Sequence, residues 1–117
     1  MSDINPVEVE QRILELTNRI ARGIKVFRDR YDKALETDRD HELRIARAYL
    51  KSEGSIEDKK KQAIVECFES RVKRDVAEVA FKEADKLLKA LELELRALQS
   101  IGASLREQYR VAGRGET

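Results

Sequence analysis

An all-α fold, two long helices joined as an antiparallel, coiled-coil-like hairpin by one tight turn, is predicted by three observations. Charged residues make up 40% of the 117 and aromatics only 5%, with no Trp, a profile of long helices rather than of a sheet protein. The single proline stands at position 6, where it interrupts nothing. Apolar residues recur at alternating steps of four and three on both sides of Gly54, which is heptad spacing. A chain of this length has room for one domain of ordinary size, and a single one over 1–117 is expected.

The first helix, over about 6–51, opens on signals that agree. Asn5 suits an N-cap, Pro6 the first helical position where no donor is needed, and Glu8 the return arm of a capping box. Ile4 and Val9 have the spacing of a hydrophobic staple. The only glycine before the turn, Gly23, costs about 1 kcal/mol without ending a helix. The turn is expected at 52–55, Ser52-Glu53-Gly54-Ser55. Gly54 can take the left-handed conformation that closes one helix, and Ser55 with Asp58 reads as the capping box that opens the next. Arg47 and Lys51 before the turn, and Glu57 and Asp58 after it, complement both helix dipoles.

The second helix is expected to run unbroken over about 56–112, with Gly113 as its stop and a short tail over 113–117. Its seam passes through Ile56, Lys60, Ala63, Cys67, Ser70, Arg74, Ala77 and Phe81, then through Ala84, Leu88, Leu91, Leu95, Leu98, Gly102, Leu105 and Tyr109. The first helix offers a less regular seam through Val9, Ile13, Leu16, Ile20, Ile24, Phe27, Tyr31, Ala34, Asp38, His41, Ile45 and Ala48. Two successive steps of four near Ile20 amount to a stutter. A connection this short makes the helices antiparallel neighbours. Pairing about the turn brings together positions whose numbers sum to about 107, which sets Leu16 near Leu91, Phe27 near Ala80 and Val9 near Leu98.

Two helices touching along one stripe enclose little core. A second row, Ile64, Phe68, Val72, Val76 and Val79, lies off the seam of the second helix, and each such side chain gains roughly 1.5–3 kcal/mol on full burial. A self-association face is therefore expected there, giving a homodimer in a four-helix arrangement. The plainer alternative is that broad packing within one hairpin covers the row.

The remaining candidates carry less chemistry. Asp38 and His41, three apart on the seam, are expected to meet Ser70, Arg71 or Arg74 in a polar layer that sets register. With Cys67 nearby they make a sparse metal set, so no metal and no cofactor are expected, and Cys67 reads as a small buried hydrophobe. No phosphate loop, catalytic serine motif or paired-cysteine spacing occurs in the sequence, so no enzyme is expected. Lys and Arg number 24 against 23 acidic residues, which leaves no global pull toward nucleic acid. A local basic strip of Arg19, Arg22, Lys25, Arg28, Lys82, Lys86 and Lys89 keeps phosphate binding open as an alternative. No apolar run approaches the roughly 18–20 residues of a membrane span or follows a signal-peptide pattern, so no membrane contact and a cytoplasmic location are expected.

The run from Ala46 to Ala63, the segment Leu95-Arg96-Ala97-Leu98-Gln99-Ser100 and the ending Leu105-Arg106-Glu107-Gln108-Tyr109 resemble small uncharacterised helical proteins of bacteriophages and prophages. Those proteins are often encoded among replication and recombination genes. The likeness covers roughly the last two thirds of the chain and rests on turn, cap and seam. It implies a phage or prophage origin, hence a location in the host-cell cytoplasm, and a gene neighbourhood, with no functional residue to carry over. The readings it leaves are a self-associating adaptor with a phage or host protein partner, a DNA-associated accessory factor in recombination or replication, and an inhibitor docking on a host protein.

Overall fold

The computed structural model describes residues 5–115. Among them every regular element is helical: α1 (Pro6–Lys51), α2 (Ile56–Glu66) and α3 (Phe68–Gly115). Asn5 Oδ1 accepts the Glu8 amide at 2.9 Å, and Ser55 Oγ accepts the Asp58 amide at 3.1 Å. Each cap satisfies an amide that the helix itself leaves without an acceptor. Gly54 has φ +111°, the left-handed region expected of it. The staple drawn to Ile4 and the last two residues of the tail lie outside the described residues.

The expected single second helix is interrupted at Cys67, whose φ −100° and ψ 19° leave the helical basin. Its cause is local. The Ser70 hydroxyl donates to the Cys67 carbonyl at 2.9 Å, a side-chain bond that competes with the helical ladder and bends it. The ladder is perturbed rather than severed, because the Cys67 amide still reaches the Ala63 carbonyl and the Arg71 amide the Cys67 carbonyl. Gly113 does not stop α3, which continues to Gly115.

The chain divides into two compact units, Met1–Lys25 with Lys86–Thr117, and Val26–Asp85. In the first, Leu16, Leu91 and Leu98 form a buried cluster, with Ile13, Ile20 and Leu95 against it. Val9 is 1% exposed and packs over Gly102, where a Cβ would lie 3.4 Å from Val9 Cγ1. The seam passes through Gly23, not Ile24 as expected. Ile24 is 45% exposed, while a Cβ on Gly23 would stand 3.4 Å from Leu88 Cδ1. Keeping to Gly23 preserves the step of three after Ile20, and the two successive steps of four fall instead at Gly23, Phe27 and Tyr31.

In the second unit the buried apolar residues are small. Ala48, Ala63 and Cys67 cluster with Ile45 and Tyr49 beside them, and Ala77 and Ala84 are buried further along. Phe27, Tyr31 and Phe81 form the one aromatic group among the described residues, with ring centroids 5.2–6.1 Å apart. Tyr31 nonetheless remains 42% exposed. Arg30 Nη1 donates to the Ala80 carbonyl at 3.1 Å.

Within each unit the register differs from the expected one. Facing positions in the first, Val9 with Gly102 and Gly23 with Leu88, sum to 111 rather than 107. In the second, His41 with Ser70 and Ala48 with Ala63 give the same sum. The shift is four positions, one helical turn, so residues that oppose each other still come from the two seams. Its origin is the turn. The Ser52 amide still donates to Ala48 and Tyr49, its hydroxyl adds a bond to the Ala48 carbonyl, and the Glu53 carbonyl accepts from Gln62. The connection therefore prolongs α1 beyond Lys51, and the midpoint between facing positions falls between Ser55 and Ile56.

Candidate interaction surface

Alternating steps of four and three put one row of α2 and α3 onto α1 and leave another facing outward. The inward row explains the burial of Ala63, Cys67, Ser70 and Ala77. The outward row is Ile64, Phe68, Val72, Val76 and Val79, all within the second unit. Every one of them is exposed, from 42% for Val72 to 64% for Val76. Val65, which the sequence placed off this row, is 77% exposed and continues it. Packing within the unit therefore does not cover these side chains, which removes the plainer alternative for this row.

The apolar surface turns a corner at Ile64. An open groove of about 520 Å³ is lined by Ile45, Tyr49, Leu50, Ala63 and Ile64. Lys60 also lines it, and the Nζ of Lys59 stands 5.6 Å from the centre of the Tyr49 ring, a cation–π placement. On another side of the same unit the lining is charged, with Asp40, Arg44, Arg47, Glu66, Glu69 and Lys73 around a second depression. Hydrophobic patches of this extent mark contact surfaces more often than do scattered apolar residues.

The polar seam layer resolves into a specific pair. His41 Nδ1 and Ser70 Oγ share a hydrogen bond of 2.8 Å, and that hydroxyl donates to the Cys67 carbonyl. Both side chains are buried, and among the described residues no buried side-chain nitrogen or oxygen lacks a partner. Asp38 is half-buried on α1. Arg71 and Arg74 instead meet Asp75, at 4.0 Å and 3.3 Å, while their stems line a small depression with His41 and Ile64. Cys67 is buried, as a small hydrophobe should be. Among the described residues no group of three or more His, Cys, Asp or Glu side chains converges in a way that would hold a metal ion.

The basic candidates are divided between the two units. Arg19, Arg22, Lys25, Lys86 and Lys89 belong to the first unit, and Arg28 and Lys82 to the second. Arg19 shares its depression with Glu15 and Glu94. Lys82 is paired with Glu78 at 2.9 Å. Mixed signs of this kind dilute the field a phosphate backbone would feel.

Comparison with known proteins finds no matching family model, no matching curated protein and no matching solved structure. Among the described residues no helix is long and apolar enough to cross a membrane.

Proposed function

We propose that this chain is a non-enzymatic helical interaction protein that self-associates and serves as an adaptor for a phage or host protein in the host cytoplasm. On this reading α1 folds back on α2 and α3 as an antiparallel hairpin about Gly54, and two such hairpins pair into a four-helix arrangement. The observation that carries it is the outward row on α2 and α3, exposed in a chain that is otherwise 40% charged. Small buried residues in the same unit support it further. Alanine layers remove little apolar area from water, so the outward row offers this unit further hydrophobic stabilisation, roughly 25 cal/mol per Å² buried. The phage origin rests on the likeness of the turn and the C-terminal seam described above.

Size-exclusion chromatography with light scattering, run over a wide concentration range, tests the self-association. A mass of one chain throughout ends it. Affinity capture from infected or host cell extract then tests the adaptor role, and recovery of nothing but the chain itself leaves only self-assembly. A gel shift at low and moderate salt reports on the DNA-associated alternative, which the mixed charges around Arg19 and Lys82 support less well.

A further inference from the structure

We infer that the occupant of the outward row is a second copy of this chain running antiparallel, with Val72 on the two-fold axis. The inference rests on the self-association proposed above and adds its face, direction and register.

The spacing of the row carries the argument. Read outward from Val72, the row meets Phe68 and Val76 at four positions, Val65 and Val79 at seven, and Lys61 and Glu83 at eleven. A row with this spacing is its own reverse. An antiparallel partner centred on Val72 therefore sets Val72 against Val72, Phe68 against Val76 and Val65 against Val79, apolar on apolar at each level. The helical phase needed for this survives the interruption at Cys67, because the backbone bonds from Cys67 to Ala63 and from Arg71 to Cys67 bridge it.

Charge decides the direction. In the antiparallel arrangement each exposed Lys61 at one end of the row meets the partner's exposed Glu83 at the other. A parallel, in-register partner instead puts Lys61 against Lys61 and Glu83 against Glu83, and like charges directly opposed are unfavourable in either place. The flanks are compatible with the same choice. Glu69 and Lys73, 3.7 Å apart, lie on one side of the row, and Arg71 and Asp75, 4.0 Å apart, on the other. A two-fold axis perpendicular to the helix brings each flank to its own copy reversed, so that acid meets base on both sides. With five apolar side chains from each copy, the contact sits at the small end of specific interfaces, and the dimer should dissociate on dilution.

Cross-linking in the full chain tests this. In a Cys67→Ala background, Val72→Cys is expected to form a disulfide-linked dimer on mild oxidation. Val65→Cys and Val79→Cys should each fail alone and cross-link when mixed with one another. Lys61→Glu should raise the dimer dissociation constant at low salt, and adding Glu83→Lys should restore it. Self-cross-linking of all three single cysteines means a parallel pair and overturns the inference while leaving self-association intact. Val76→Asp sits outside the core, so its helical content by circular dichroism should be unchanged. If it dimerises as the unsubstituted chain does, another face is used and the inference falls alone. If the unsubstituted chain is a monomer at every concentration, the inference falls together with the reading beneath it.

Discussion

His41 Nδ1 and Ser70 Oγ lie 2.8 Å apart between α1 and α3, both buried, and the same serine hydroxyl reaches the carbonyl at which the helix is interrupted. Serine has one hydroxyl proton, and the Cys67 carbonyl takes it, so the hydrogen between the two side chains belongs to the imidazole. One pair thus links the histidine's orientation to the interruption at Cys67.

Ser70→Ala leaves a buried imidazole N–H without an acceptor, which costs about 1–3 kcal/mol. His41→Leu with Ser70→Ala removes both partners and should recover much of that loss, because no polar group is then stranded. Urea unfolding of the two single variants and the double variant measures the coupling. Additive losses would show that the pair is not a unit.

Glycines at two places should respond oppositely to alanine. At Gly54, φ is +111° and a Cβ would stand 3.2 Å from Asp58 Oδ2, so Gly54→Ala should destabilise by about 1–2 kcal/mol. At Gly23 the backbone is helical and the nearest atom is the end of a flexible leucine at 3.4 Å. Gly23→Ala should therefore stabilise by about 0.5–1 kcal/mol through helix propensity. Thermal melts followed by circular dichroism give both signs, and a loss at Gly23 would mean that the two helices approach there more closely than 3.4 Å implies.

These glycines also mark where sequence reasoning works and where it stops. Gly54 and Ser55 were legible because a turn needs a left-handed residue and a cap at fixed offsets. The seam from Ala77 to Leu105 is legible because its residues, almost all apolar, keep strict heptad spacing. Gly23 was not, since a hydrophobicity pattern selects Ile24 beside it, and only the closeness of Leu88 shows that a residue without a side chain holds the seam. The register differs by one turn from pairing about the turn at 52–55, because Ser52 continues the α1 ladder. The bend at Cys67 comes from a hydroxyl bonding its own backbone, which leaves no trace in periodicity. Of the surface, the outward row could be read from Ile64 to Val79, and Val65 joined it only once its exposure was known. Arg30 and the Ala80 carbonyl gave no signal at all, because a backbone acceptor carries no residue type.

Leu16 and Leu93 separate core from surface on chemically identical side chains. Leu16 is 3% exposed and clusters with Leu91 and Leu98, so Leu16→Ala should cost about 2–5 kcal/mol. Leu93 lies on the exposed side of α3, and Leu93→Ala should change stability by less than about 1 kcal/mol. Equal losses in chemical denaturation would contradict the burial of one and the exposure of the other.

Hydrogen exchange should grade α3 along its length. Its later part packs through Leu91, Leu95 and Leu98, and its earlier part through Ser70, Ala77 and Ala84. A leucine layer removes far more apolar area from water than an alanine layer does, so local opening costs more where the leucines are. Amides over 91–100 should accordingly exchange more slowly than those over 70–79 when the protein is dilute. Raising the concentration should then slow exchange over 64–79 selectively, because a partner on Phe68, Val72 and Val76 supplies the burial that the alanine layers lack. Protection that is uniform along α3 and independent of concentration would show that the alanine layers hold this segment without help, and the exposed row would lose its thermodynamic reason for a partner.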